Sequence, residues 1–138
     1  MKILLAVDGS KYTKKMLAYL TVHAELFAAV NDFTVFTAQA PLPPRARAAV
    51  GKDIADAYHA EESEKIVAPV CKFLARHGIN AKSAWKVGHA GEAIAKFADA
   101  GKYDLVGSHA HSALTNLGMG AAATQVLAHC QVPVLLVR

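Results

Sequence analysis

This 138-residue sequence contains only two cysteines and no long hydrophobic run. Cys71 and Cys130 lack neighbours at a spacing typical of a metal site, so we expect buried, reduced thiols. No apolar run reaches the ~18 residues needed to cross a bilayer, and the amino-terminal apolar stretch ends at Asp8, too early for a signal peptide. We therefore expect a soluble cytoplasmic protein with no membrane partner.

Charged residues are also few, at 19% of the chain, while hydrophobic residues make up 54%. This balance argues against disorder and predicts one folded domain over residues 1–138. The net charge is +4, but the basic residues of the first third are not interleaved with exposed aromatic residues. We therefore interpret them as solvated helix faces and expect no nucleic-acid partner.

Short apolar runs alternate with helical patterns along the chain, which predicts an α/β fold with a parallel sheet and helices on both faces. The Pro-rich segment 41–51 is predicted to be a loop, and Pro69 is expected to kink or break the long second helix. Ser10 is the expected N-cap of the first helix. The predicted strands are 2–7, 33–38, 80–87, 103–106 and 132–137, and the predicted helices start at 10 and cover 53–77, 92–100 and 121–129.

Small and polar residues follow two of the predicted strands. Asp8-Gly9-Ser10 comes after the first strand and Gly107-Ser108-His109 after the fourth, and both would open on the same edge of the sheet. Gly118 and Gly120 permit a tight turn before the last helix, whose first N–H groups could face a phosphate. The same glycines also suit ordinary turns, so both interpretations stay open.

Four stretches, ILLAVDGS, GHAGEAI, YDLVGSHAHSAL and VLAHCQVPVLLVR, are similar to the universal stress protein family over the whole chain. The resemblance implies a Rossmann-like open sheet of five parallel strands in order 3-2-1-4-5. It also implies ATP or another adenine nucleotide, with or without Mg²⁺, at the carboxyl ends of strands 1 and 4. The implied nucleotide-binding residues are Ala6, Val7, Asp8, Ala38, Val106, Gly107, His109, Ala110, Gly120, Ala121, Ala122 and Ala123.

The sequence departs from the family's nucleotide motif at two positions. The family pattern of Gly, two residues, Gly, nine residues, then Gly and Ser or Thr falls on Gly107, Ala110, Gly120 and Ala121. If the family glycine at Ala110 has a positive φ, the added Cβ costs about 1 kcal/mol. Ala121 lacks a hydroxyl whose bond to a phosphate oxygen is worth about 1.5–3 kcal/mol, so we expect binding weakened about tenfold to a hundredfold.

Two further features of the sequence bear on the same motif. The fourth strand looks about two residues short before Gly107, which could displace the loop that follows it. Asp8 has two interpretations: the resemblance places it beside the adenine and ribose, whereas its position in a strand-to-helix turn suits a capping role.

Several catalytic classes lack the residues that they need. Ala6 stands where acid-nucleophile phosphatases carry their first Asp, and no phosphate-binding P-loop is present. His109 and His111 are two ligands short of a tetrahedral metal site, and nothing orients His109 for a triad with Ser108. We therefore expect no catalytic residues and no bound metal of the protein's own, with slow nucleotide hydrolysis as an open alternative.

The last predicted strand, VPVLLV, would be an apolar edge of the sheet without a lysine to protect it. Relatives in the family dimerise through this strand, so the resemblance implies a homodimer through Val132 to Val137. An alternative function is therefore a dimeric stress-response interaction protein of the same fold that has lost nucleotide binding.

Overall fold

The computed structural model describes residues 1–25, 27–109 and 122–138. Strands and helices alternate along the chain, with one additional helix before the longest one. In order they are β1 (Lys2–Ala6), α1 (Lys11–Val22), β2 (Asp32–Gln39), α2 (Pro44–Val50), α3 (Lys52–Arg76), β3 (Lys82–Val87), α4 (Ala90–Ala100), β4 (Leu105–His109), α5 (Ala122–His129) and β5 (Val134–Val137).

The five strands form one parallel sheet in the order β3-β2-β1-β4-β5, which confirms the predicted fold class and strand order. β1 lies in the centre, where Leu5 is opposite Val35 of β2 on one side and Gly107 of β4 on the other. Right-handed crossovers then place α1 and α3, which connect β1, β2 and β3, on one face of the sheet, and α4 and α5, which lead to β4 and β5, on the other.

Each face of the sheet has its own core. Ile3 and Leu5 of β1 pack on one face with side chains of α1 and α3, among them Met16 and Leu74. Leu4 and Ala6 point to the other face and pack with residues of α4 and α5, including Ile94 and Val126. A central strand buried on both faces explains why its sequence is a continuous apolar run without alternation.

The Pro-rich segment contains α2, so the predicted loop is wrong for Pro44–Val50. Pro43 is the N-cap, and Pro44 opens the helix, where the missing N–H would have no intrahelical partner in any case. The helix ends at Gly51, whose φ is +80°, a conformation that glycine adopts without strain.

The predicted break at Pro69 is also wrong, because α3 runs uninterrupted from Lys52 to Arg76. Pro69 is exposed, while Val67 and Val70 on either side of it are buried against the sheet. Packing of these neighbours offsets the lost backbone bond, although the carbonyl of Lys65 no longer has its helical donor. A kink at this position stays a prediction.

The fourth strand begins and ends later than the predicted range 103–106. It covers Leu105–His109, so the Gly-Ser-His sequence lies inside the strand and not after it. Tyr103, predicted as its first residue, instead packs before it and donates a hydrogen bond from its hydroxyl to Thr34 Oγ1 at 3.0 Å. β3 and β5 likewise begin two residues later than predicted, at Lys82 and Val134.

Both cysteines are free and only partly buried, less than the sequence indicates. Burial raises the pKa of each thiol above its ordinary value. None of the helices in the described ranges combines the length and apolar character that crossing a bilayer requires.

Candidate functional site

The strand order reverses between β1 and β4. The chain leaves β1 towards β2 and β3 and then returns to the opposite side of β1 for β4 and β5. The carboxyl ends of β1 and β4 therefore border the crevice where open α/β sheets bind their ligands. Asp8 and His109 stand at these two ends.

The turn after β1 is held by its own side chains. Gly9 has a φ of +77°, and Ser10 begins α1 by accepting a hydrogen bond from Tyr12 N at 3.3 Å, which confirms the predicted N-cap. Asp8 Oδ1 accepts from the backbone N of Ser10 at 2.9 Å. Asp8 therefore stabilises the turn between β1 and α1, which is the structural role that its position predicts.

The same carboxylate oxygen joins the two strand ends. The Thr13 hydroxyl donates to Asp8 Oδ1 at 3.1 Å, and His109 Nε2 lies 3.2 Å from that oxygen. The Asp8 side chain is 47% exposed, whereas that of His109 is 7% exposed. A ligand can thus reach the carboxylate from solvent, while the imidazole forms part of the wall behind it.

The environment keeps Asp8 ionised. Burial raises the pKa of the Asp8 carboxyl, but hydrogen bonds from His109 and Ser10 and the charge interaction with His109 outweigh burial and hold the pKa well below its usual range. Asp8 is therefore a fixed negative charge and hydrogen-bond acceptor at neutral pH.

The other ring nitrogen of His109 is buried. Among the residues that the structure describes, Nδ1 has no hydrogen-bond partner. The ring centroid lies 6.0 Å from that of Tyr12, so the imidazole packs beneath the first turn of α1. An unpaired buried nitrogen costs about 1–3 kcal/mol, which a hydrogen bond from a bound molecule would recover.

A small cavity of about 60 Å³ opens between these strand ends and α4. Five predicted site residues border it: Ala6, Val7, Asp8, Ala38 and His109. Sites for small molecules usually enclose about 300–1,000 Å³. The described residues therefore form only one part of a ligand site, large enough for the edge of a ring and not for a whole nucleotide.

The cavity also has three wall residues that the predicted site does not include, Ala90, Ile94 and Ser108. Ala90 and Ile94 belong to α4 and lie within the GHAGEAI segment that carried the family resemblance. Ser108 lies next to His109 in β4 and is 5% exposed.

Val106 and Gly107 do not border this cavity, and the predicted position of Gly107 after the strand is wrong. Gly107 lies within β4, opposite Leu5 and Leu135. A Cβ added to Gly107 would come 3.0 Å from Leu5 Cδ2, so tight packing accounts for the glycine. Val106 is fully buried. Contact of either residue with a ligand stays a prediction.

The remaining predicted site residues belong to the phosphate side. Ala110, Gly120 and Ala121 lie outside the described residues. Ala122 and Ala123 begin α5, in agreement with the predicted helix start near residue 121. Their predicted contacts with phosphate stay predictions.

The described part of the chain contains no group of three or more His, Cys, Asp or Glu side chains that could hold a metal ion.

Comparisons with known proteins agree on one family. The model of the universal stress protein family matches residues 1–138. The universal stress protein Slr1230 of Synechocystis sp. is 30% identical over 139 residues, which cover 99% of this chain and 42% of that protein. The chain thus spans less than half the length of this curated relative.

Solved structures show the same fold. The universal stress protein UspA from Lactobacillus plantarum superposes with a TM-score of 0.76 at 18% identity, over 100% of this chain and 97% of that one. The universal stress protein from Archaeoglobus fulgidus in complex with dAMP has a TM-score of 0.67 at 18% identity, over 100% and 98% of the two chains.

Proposed function

The chain belongs to the universal stress protein family, and we propose that it is a stress-response module of one domain that binds an adenine nucleotide at the carboxyl ends of β1 and β4. The observation that carries this proposal is the Asp8–His109 pair at the strand-order reversal, with Oδ1 and Nε2 3.2 Å apart beside a cavity. The Archaeoglobus fulgidus relative, of similar fold, is in complex with dAMP.

The chemistry of the pair suits a nucleoside. An ionised, half-exposed Asp8 can accept a hydrogen bond from a ribose hydroxyl or from the adenine amino group. Ala6 and Ala38 line the cavity without bulk, so the edge of a purine ring can approach the sheet.

The phosphate side would depend on the start of α5. Backbone N–H groups at a helix N-terminus favour a phosphate, and Ala122 and Ala123 supply such groups. Ala110 and Ala121 remove a glycine and a hydroxyl from the family pattern. We therefore propose weak binding of ATP, ADP or AMP, with Mg²⁺ held through the phosphates where a triphosphate is bound.

We propose binding and not catalysis. In hydrolytic triads the His accepts a proton from a nucleophile on one nitrogen while an Asp orients the other. Here Asp8 faces Nε2, but Nδ1 meets no nucleophile among the described residues.

A calorimetric titration with ATP, ADP and AMP tests the proposal, together with heat extraction and chromatography of nucleotide carried by the purified protein. Asp8→Ala should weaken binding at least about tenfold, because it removes a charged acceptor worth about 1.5–3 kcal/mol. Asp56→Ala, at an exposed position of α3 that does not border the cavity, is the matched control and should bind as the wild type does.

The double variant Ala110→Gly/Ala121→Ser restores the family motif and should tighten binding. If neither the wild type nor this variant binds nucleotide or carries it through purification, the proposal fails.

That failure would favour the alternative, a dimeric interaction protein, for which the edge strand is the supporting observation. Within the ranges that the structure describes, β5 pairs only with β4 and carries no charged residue, whereas the opposite edge strand β3 has the exposed Lys82 and Lys86. Lysine protects an edge from pairing with another chain, so β5 is the edge that needs a cover.

We propose that a second copy supplies this cover by pairing its own β5 about a two-fold axis, with or without nucleotide. Sedimentation should show a dimer for the wild type and a monomer or aggregate for Leu135→Lys. A monomeric wild type at micromolar concentration would exclude this assembly.

A further inference from the structure

One recess bordered by described residues lies next to the turn that follows β1, outside the cavity at Asp8 and His109. It is a groove of about 690 Å³ between α1 and α3, lined by residues 9–17 on one side and residues 65–76 on the other. We refer to it as the α1–α3 groove. Its volume lies within the range of sites that hold a ligand or part of a partner.

The groove has charge of one sign. Lys14, Lys65, Lys72 and Arg76 line it, and no carboxylate does so among the residues that the structure describes. Lys65 is engaged by Glu61 and Glu62, with N···O distances of 3.8 and 3.1 Å. The other three cations have no ion pair within the described ranges, so the positive potential between the helices is not cancelled locally.

Apolar side chains form the floor between these cations. Leu17 and Val70 are 6% and 4% exposed, while Ile66 and Phe73 are only partly covered and pack on the core beneath them. A partner must therefore have an apolar surface as well as negative charge. A free inorganic anion would leave the floor in contact with water.

The three unpaired cations lie on both sides of the groove. Lys72 and Arg76 are four residues apart on α3, a rise of about 6 Å at 1.5 Å per residue. Lys14 stands on α1, across the groove. Positive charge on two opposite walls suits a partner with carboxylates on both flanks of an apolar stripe, and not an amphiphile with a single head group.

We propose that the α1–α3 groove docks an acidic amphipathic helix, about three turns long, from a partner protein. Its apolar stripe would lie on Ile66, Val70 and Phe73, and its flanking Asp or Glu side chains would face Lys14 on one side and Lys72 and Arg76 on the other. Helices that lay an apolar face in a groove are a recurring mode of peptide recognition.

Other occupants fit the groove less well. Residues 110–121 of this chain contain no carboxylate, so that segment does not complement the four cations. A nucleic-acid backbone would match the charge but would leave the apolar floor unused. The proposal rests on the groove alone and does not depend on nucleotide binding.

A fluorescein-labelled synthetic peptide tests the proposal on the full chain by fluorescence anisotropy. The peptide has about 16 residues, with Leu at i, i+3, i+4 and i+7 and Glu beside this stripe. It should bind at micromolar concentration. Lys72→Glu/Arg76→Glu should weaken binding at least about tenfold, because it replaces two attractive contacts with repulsive ones.

Two controls separate docking from general attraction to a basic protein. Arg45→Glu/Lys86→Glu makes the same change in net charge at exposed positions outside the groove, and it should change binding less than about twofold. A peptide of the same composition in scrambled order keeps its charge but loses its apolar stripe, and it should bind at least about tenfold more weakly. Circular dichroism and thermal melting are the check that both variants fold as the wild type does.

Five results would overturn the proposal. The first is that the wild type does not bind the peptide. The second is an equal loss of peptide affinity in the two charge-reversed variants, and the third is that the scrambled peptide binds as tightly as the amphipathic one. The fourth is equally tight binding of a labelled DNA duplex that is lost with Lys72→Glu/Arg76→Glu, which would make the groove a nucleic-acid surface. The fifth is loss of self-association in that variant, which would assign the groove to a second copy.

Discussion

The carboxyl ends of β1 and β4 meet at one edge of the sheet, but their glycines do different things. After β1, Gly9 turns the chain with a φ of +77°, and a Cβ there would make only an ordinary contact, 3.4 Å from Ile66. In β4, Gly107 stays in the strand, and a Cβ there would come 3.0 Å from Leu5 Cδ2, so the leucine would have to shift. The first glycine is required by backbone conformation and the second by packing.

This difference also places His109. Because β4 continues through Gly107 and Ser108, His109 is the last residue of the strand and comes within 3.2 Å of Asp8. The sequence pattern predicts a site made of two loops. In the structure, the two sides of the site are the turn after β1 and the end of strand β4.

The largest expected effect tests whether Gly107 is held by close packing against Leu5. Gly107→Val should destabilise the protein by about 1–3 kcal/mol, because the new side chain must displace Leu5 in a core with no spare room. Urea unfolding measures the change. Ser83→Val adds an apolar side chain to the exposed strand β3 and should change stability by less than about 0.5 kcal/mol. Equal stabilities of the two variants would show that Gly107 is not held by close packing.

A smaller effect tests the conformational side. Gly9→Ala should cost about 1 kcal/mol through its positive φ, since the Cβ itself has room. Gly78 has a φ of +79° with no atom within 4 Å of an added Cβ, so Gly78→Ala should cost about the same. Thermal and urea unfolding of both variants make the comparison. A much larger cost at Gly9 would mean that crowding against Ile66, and not the backbone angle, determines the glycine.

The smallest expected effect concerns the contact that joins the two strand ends. The pKa of Asp8 is lower in the folded protein than its ordinary value of 3.8. The ionised carboxylate therefore contributes stability that is fully present well above pH 3.8 and is lost as the pH falls towards the folded pKa. The contribution is modest, because the side chain is about half exposed.

Asp8→Asn should consequently be less stable than the wild type at pH 7, and the difference should shrink as the pH falls below 3.8 towards the folded pKa. The midpoint of urea unfolding, measured from pH 7 to pH 2, gives both curves. Asp56→Asn, at an exposed position of α3, serves as the control. A difference between Asp8→Asn and wild type that does not depend on pH would show that the carboxylate charge has no part in joining β1 to β4.

Local patterns in the sequence predicted the elements except α2, which lies in the Pro-rich segment. Continuous apolar runs indicate strands buried on both faces, helical spacing indicates the covering helices, and Ser10 after Asp8-Gly9 identifies the start of α1. Alternation of these elements determines a parallel α/β sheet, and the family motifs determine its strand order. Asp8, Ala6 and Ala38 could be predicted as neighbours because residues at the ends of parallel strands meet at one edge.

Other features follow from tertiary packing, which at some positions overrides the secondary structure that a residue favours locally. Pro69 stays inside α3 because its neighbours are buried, and Gly107 stays inside β4 because it pairs with Leu5 of β1 and Leu135 of β5. Burial of His109 with Nε2 against Asp8, and the gathering of Lys14, Lys72 and Arg76 along one groove, also depend on which elements pack together. These contacts join residues far apart in the chain, and no local pattern encodes the distance between them.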